Sequence, residues 1–370
     1  MKGFSVMCNL LEKIRKVDLL SAKGRRHFIS KILQETARRT GESFGGPDSA
    51  ILVLTNRCNA RCVHCHSWKM KSTGKELSDG EWKKTLDELY RWVGAIDLAI
   101  TGGETLLRPG AIDIAEHAAS LGFWVDYLTN GYIMNRENAA RLVDSGVSRI
   151  NISLDGSTPE IHNAVRGRDD FFDQSINALK MLVSERDKQQ RDVQIWGKTT
   201  IMNINVGDLP NIIELAAGIG LNGVLFQALE PIYYSEELTD PKWYQKNPLW
   251  VKDLSVVSNS LQRLREQKEE GFPVANTFES LEMIREYFRD PEGLSFKVHS
   301  HEYNKKKPDC TSWYKGLQFM PDGGMKMCLW MEPFANAREG SFRQAWRNRK
   351  KCWKENCAMM QRSDEKDLDT

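Results

Sequence analysis

Long apolar runs are missing from this chain. No stretch of about 18 apolar residues occurs in its 370 residues, which excludes a membrane-spanning helix. The N-terminus also lacks a continuous apolar core of about 7–15 residues ahead of a small-residue cleavage site, so the expected location is the cytoplasm. Net charge is small as well. Lys and Arg number 52 against 50 Asp and Glu, and with 41% hydrophobic and 28% charged residues the balance excludes global disorder. No low-complexity tract is present, and no nucleic-acid partner is expected. What is there is length: room for two or three domains and enough chain to bury well over half of the unfolded surface, which excludes a disulfide-stapled peptide.

Charge is unevenly placed. Residues 1–40 carry ten Lys or Arg against Glu12, Asp18 and Glu35, a net +7, and the rest of the chain carries −5. Met7, Leu10, Leu11, Ile14 and Val17, then Phe28, Ile29, Ile32 and Leu33, recur at three- and four-residue spacing and predict two basic amphipathic helices over 1–49. Such an arm either packs on the main domain with its cations in solvent or lies on an anionic membrane surface. From residue 50 the pattern changes to apolar runs at 50–54, 96–100, 123–128, 148–154, 193–201 and 223–228, separated by helical periodicity at 79–93, 110–120, 137–145, 173–184 and 209–217. Six βα repeats predict an α/β fold with a parallel sheet over 50–230, closed, partly closed or open, and chemistry at the C-terminal ends of its strands. Residues 231–300 lose the strand rhythm and read as a helical connecting segment, with Tyr233, Tyr234, Trp243, Tyr244 and Trp250 as packing or as a roof over a substrate. Residues 301–370 hold a strand–turn–strand at 319–328, a helix near 341–350 and a polar tail.

The eight cysteines are clustered, which in a reducing compartment argues for metal. Cys58, Cys62 and Cys65 form a C-x3-C-x2-C loop after the first strand. Three thiolates so close wrap one metal centre: a zinc completed by His64 or His66, or an iron–sulfur cluster that keeps one iron without a protein ligand. One βα unit later comes Thr101-Gly102-Gly103-Glu104, two glycines that permit close backbone approach followed by a strand-end carboxylate.

Together with Leu128-Thr129-Asn130-Gly131 and Ile152-Ser153-Leu154-Asp155-Gly156 followed by Arg166-Gly167, this resembles the radical S-adenosylmethionine (radical SAM) superfamily over about residues 50–230. The resemblance implies a partial (β/α)6 TIM-like barrel in which Cys58, Cys62 and Cys65 ligate a [4Fe-4S] cluster whose fourth iron takes the amino and carboxylate groups of SAM. It further implies reductive cleavage to a 5′-deoxyadenosyl radical that abstracts a substrate hydrogen. Thr101, Gly102, Gly103 and Glu104 look like the edge for the methionine ammonium. Ser153 and Asp155, two apart and so on one face, look like ribose contacts, and Arg166 looks like the partner of the methionine carboxylate. Asn130 and Gln227 join the cofactor pocket, with Thr200 and Asn203 beside them. One departure is His64, which stands where an aromatic residue usually flanks the adenine; its flat ring can serve the same end.

Cys310, Gly323-x4-Cys328, Cys352 and Cys357 look like the shortened auxiliary-cluster domain of SPASM/twitch enzymes, which implies a second [4Fe-4S] cluster with no open iron. Zinc is the alternative, although its ligand pairs are usually spaced by two to four residues. Cys8 reads as a small buried apolar residue. The resemblance implies oxidation or bond formation on a peptide or small natural product, with an electron donor such as flavodoxin or ferredoxin. The basic arm supports a lipid or isoprenoid substrate at a membrane surface as the alternative, and a non-catalytic zinc protein is a remote third.

Overall fold

The computed structural model describes residues 45–349 apart from 71–73, 233–234, 236, 238–239, 241, 293–311 and 329–330, with Ile29, Ile32, Leu33 and Thr36 ahead of them. The rest of the basic arm, Cys8, Cys310, Cys352, Cys357, Tyr233, Tyr234 and the polar tail lie outside the described residues. No helix among those described is long and apolar enough to cross a membrane.

Alternation of apolar and polar residues builds the sheet. β1 (Ser49–Val53), β2 (Asp97–Thr101), β3 (Trp124–Thr129), β4 (Arg149–Ser153), β5 (Gln194–Ile201) and β6 (Gly223–Ala228) run parallel and stand side by side in chain order. Leu52, Ile100, Tyr127, Ile150, Ile152 and Ile195 are fully buried in the core, and the residues between them point to the opposite face. Over the core face pack α1 (Asp79–Val93), α2 (Ala111–Ser120), α3 (Arg136–Asp144), α4 (Pro159–Arg166), α5 (Phe171–Gln189) and α6 (Leu209–Ile219). Trp82, Leu86 and Leu89 bury one stripe of α1 completely. Ser78 caps that helix through a capping box with Glu81, and Arg338 in turn donates to Glu81 from the far end of the chain, at 2.6 Å.

After β6 come α7 (Trp243–Lys246), α8 (Leu254–Glu269) and α9 (Phe278–Arg289). Trp243 and Trp250 are packing here, because both are buried and Trp250 packs against Tyr287 and Phe288. The C-terminal strand–turn–strand departs from a free-standing unit. β7 (Gly316–Phe319) pairs in parallel with β1, from Ser49 opposite Gly316 to Leu52 opposite Phe319. β8 (Gly324–Lys326) and β9 (Ala335–Asn336) follow antiparallel, so one nine-stranded sheet runs β6-β5-β4-β3-β2-β1-β7-β8-β9. The hairpin turn needs Gly323, whose φ is +89° and whose Cβ would meet Asn336 Oδ1 at 2.7 Å.

Candidate active site at the C-terminal ends of the strands

The ladder between β1 and β2 does not stop where the strands do. Leu54 N donates to Thr101 O (2.8 Å), Gly103 N to Thr55 O (2.7 Å) and Glu104 N to Arg57 O (2.8 Å), which lays the cysteine loop along the Gly-Gly-Glu segment. No side chain fits between them. A Cβ on Gly102 would stand 2.6 Å from Thr55 O, and one on Gly103 would stand 2.4 Å from Arg57 O. The other half of the loop is held by the end of α4, through Arg61 N to Arg166 O and Val63 N to Val165 O, both 3.0 Å. Gly167, at φ +70°, lies so close there that a Cβ would meet Arg61 O at 2.5 Å. Two glycine-bearing segments therefore clamp the loop from opposite sides.

The clamped loop gathers Cys58, Cys62 and Cys65, all free thiols, with Cys62 buried in a cluster with Ala60 and Phe171 and the other two half-buried against that cluster, as is Tyr132. Burial pushes the Cys58 thiol up to about 11 and raises Cys62, whose rise is opposed by the Arg166 charge. Metal binding at neutral pH must therefore release protons. Among the described residues no three His, Cys, Asp or Glu side chains are grouped to grip a single ion. His66 is taken up by Lys69, at 2.8 Å.

Glu104 is buried and turned inward. Its Oε1 accepts from Leu106 N (2.9 Å) and Thr129 Oγ1 (2.5 Å), and its Oε2 from Asn130 N (2.7 Å). Burial raises its pKa against the pull of these donors. The carboxylate expected to receive an ammonium thus binds the tip of β3 first. Asn130 carries the link onward, with Nδ2 donating to Asn59 Oδ1 at 2.8 Å.

Asp155 also departs from expectation. It follows the end of β4, is fully buried, accepts from Thr200 N through Oδ1 at 2.9 Å and is ion-paired through Oδ2 with Arg166. It therefore does not share an open face with Ser153, which is only half-buried. Arg166 is committed in turn, to Asp155 and to Cys62 Sγ, 3.5 Å from Nη1. Burial works against its charge, yet Asp155 and Cys62 outweigh burial and raise its pKa. Gln227 is exposed, with Nε2 3.3 Å from Thr200 Oγ1, and Asn203 turns outward to donate to Pro248 O. Neither reaches the cysteine loop by a hydrogen bond.

Three contributors were not singled out from sequence. His162, one turn before Arg166 on α4, accepts from Asp155 N at Nδ1 (3.2 Å), and burial lowers its pKa to about 3, so its ring is neutral. Its Nε2 lies 3.4 Å from Ser175 Oγ, which donates to Asn130 O at 3.2 Å. Asn59 is the third. The signal for α4 was available: Thr158 before Pro159 opens a helix and Gly167 closes it.

Residues 52–216 match the radical SAM superfamily. That segment, under half of the chain, resembles a radical SAM domain. Among curated relatives, PqqA peptide cyclase of Rhodopseudomonas palustris is 31% identical over 50% of this chain and 48% of its own. AdoMet-dependent heme synthase of Methanosarcina barkeri is 27% identical over 80% of each chain. The chain spans about half the length of most of the first relatives it matches. Streptococcus suis SuiB bound to precursor peptide SuiA shares the fold, with a TM-score of 0.62 at 12% identity over 91% of this chain and 74% of that one.

A radical SAM domain takes a [4Fe-4S] cluster and SAM, and the residues present fit both. Each thiol of such a cluster binds its own iron, so three thiols spread around one apolar-floored loop are a suitable donor set. Asn59 Nδ2, His64 Nδ1 and Arg166 Nε are buried polar atoms beside that loop without a hydrogen-bond partner among the described residues, as a polar ligand would require. Burial holds His64 down to about 4, so it presents a neutral ring. Of the second constellation only Cys328 is described, half-buried just beyond β8.

Proposed function

We propose that the protein is a radical SAM enzyme that abstracts a hydrogen atom from a peptide substrate, giving oxidation or bond formation on that peptide. The observation that carries this reading is the three-thiol loop clamped between Gly102-Gly103 and Arg166-Gly167, with unpartnered buried polar atoms facing it. When bound, the cluster passes one electron to the sulfonium of SAM and so supplies a 5′-deoxyadenosyl radical. The chain's own residues hold and orient. Cys58, Cys62 and Cys65 ligate three irons. The backbone of Thr101, Gly102 and Gly103 and the free lone pair of Glu104 receive the methionine ammonium. Arg166 Nε and Asn59 Nδ2 donate to the cofactor's polar groups, and His64 lies against the adenine. Asp155 acts through Arg166 rather than on the ribose, leaving Ser153 as the half-buried hydroxyl on that side.

Peptide chemistry is supported by the likeness to PqqA peptide cyclase and by the fold shared with SuiB bound to its precursor peptide. We assign Cys310, Cys328, Cys352 and Cys357 to a second [4Fe-4S] cluster, which they would hold and which would supply an electron acceptor, with flavodoxin or ferredoxin as the external donor. A tetrapyrrole is the second reading, because the match to the heme synthase extends over 80% of both chains.

Anaerobically reconstituted protein with dithionite and SAM is expected to form 5′-deoxyadenosine. Replacing Cys58, Cys62 and Cys65 together by Ala should abolish that product and leave iron at the C-terminal cysteines; loss of all iron would contradict a second centre. Incubation with deuterated peptide and tetrapyrrole fractions of cell extract, read as deuterium in 5′-deoxyadenosine, decides the substrate class.

A further inference from the structure

The sheet face opposite the core carries a set of charged side chains that cofactor binding does not use. Strand register sets Asp126 beside Arg149 on β3 and β4, then Asn151 beside Trp196 on β4 and β5, then Ser153, Lys198 and Leu225 across β4, β5 and β6. The charges of the first two rows are satisfied internally. Arg149 pairs with both carboxylate oxygens of Asp126, Asn151 Nδ2 donates to Asp126 Oδ1 at 3.0 Å, and the Arg149 guanidinium lies 4.0 Å over the Trp196 ring.

Lys198 is different. It is half-buried, and its ammonium makes no hydrogen bond or ion pair with any described residue. Asp126 and Glu230 attract it only from beyond ion-pair distance, while burial and Arg149 hold its pKa below that of an ordinary lysine. A largely desolvated cation without a partner is costly, and an arriving anion removes that cost. Its position says where that anion would lie. Ser153 is its register partner on β4, and Thr200, two residues further along β5, donates to Asp155. Lys198 therefore stands one row, roughly 7 Å, below the Asp155–Arg166 layer on the same sheet face.

We propose that Lys198 binds a carboxylate of the peptide substrate and so sets which residue of that peptide is presented to the cofactor. The inference rests on the peptide reading above and deepens it: the substrate peptide presents a carboxylate, from an acidic side chain or from its C-terminus. Arg149, neutralised by Asp126, walls the subsite below and leaves the Lys198 ammonium as a charge unpaired among the described residues.

The test uses the full reconstituted chain with SAM, acetic anhydride as a small acylating probe, and mass spectrometry to follow acetylation of Lys198. Three capped peptides are compared: acetyl-Gly-Glu-Gly-amide, its Gln counterpart, and acetyl-Gly-Gln-Gly with a free C-terminal carboxylate. The Glu peptide is expected to slow Lys198 acetylation at least threefold while the Gln amide leaves it unchanged. Protection by the free-acid peptide alone still supports the carboxylate and assigns it to a C-terminus. Equal protection by Glu and Gln amides, protection by none, or full protection by SAM before peptide is added overturns the proposal. Protection by haemin but by no peptide also overturns it and moves the carboxylate to a tetrapyrrole. As a check on the charge, Lys198→Gln should weaken binding of the Glu peptide at least tenfold and of the Gln amide less than twofold. SAM cleavage by the unmodified protein is measured in the same preparation, so a failure of the radical SAM reading is distinguishable from a failure at Lys198.

Discussion

The Asp155–Arg166 pair dominates the site at the scale of single residues. Both partners are buried, and each has a second commitment, Asp155 to Thr200 N and Arg166 to Cys62 Sγ. Arg166→Ala leaves a carboxylate stranded in the interior, so it should cost about 3–5 kcal/mol of stability in the metal-free protein, measured from urea midpoints. A cost below about 1 kcal/mol would show that the pair is solvated. Gly103→Ala places a methyl 2.4 Å from Arg57 O, a backbone atom that cannot swing away. We expect a loss of about 1–3 kcal/mol and a marked fall in cluster incorporation, read from iron content. The thiol spacing and the Gly-Gly-Glu segment were legible because each lies within a few consecutive residues. Asn59, His162 and Ser175 were not, since what makes them matter is a partner brought close by folding: Asn130 lies 71 positions from Asn59, and Ser175 lies 13 from His162.

Among the secondary-structure elements, α1 shows how a local signal acquires a distant partner. Its capping box is readable in Ser78 and Glu81, and Ser78→Ala is expected to cost about 0.5–2 kcal/mol. Glu81 is held down to about 2, first by the hydrogen bond from Arg338 and then by those from Ser78. A carboxyl lowered in the folded state stabilises fully above its ordinary value near 4.5 and loses that contribution as pH falls toward 2. Both side chains are 34% exposed, so screening keeps the Arg338 share under about 1 kcal/mol. Urea midpoints between pH 5 and pH 2 should fall less steeply in Arg338→Ala than in the unmodified protein; identical slopes would mean that Arg338 does not set the Glu81 titration. Strands and helices over 50–230 were legible because apolar period changes from two to between three and four at each boundary. The helix α4 is not legible by periodicity because its eight residues make barely two turns, and only its cap residues mark it in the sequence.

Across the whole molecule, the decisive feature is that β7 joins β1. Leu317 and Phe319 are fully buried in the same core as Leu52 and Leu54, so the C-terminal hairpin should unfold with the barrel and not before it. Phe319→Ala is expected to cost about 3–5 kcal/mol and to shift one cooperative transition. Two separated transitions in a thermal scan would show instead that the hairpin is an independent unit.

What the sequence determined by itself is the class of chemistry and the presence of six parallel strands; their side-by-side order came from the tertiary structure. Cysteine spacing and alternation are local properties, and a loop of three thiols after a buried strand needs no distant information to be read. What only the tertiary structure decided is where each charge goes. It turns Glu104 and Asp155 inward onto protein donors, sets Arg166 against a cysteine sulfur, adds the C-terminal hairpin to the β1 edge and leaves the ammonium of Lys198 without a partner among the described residues. The physical reason is that buried polar groups must find partners wherever the packed chain supplies them, and those partners come from segments that sequence distance keeps apart.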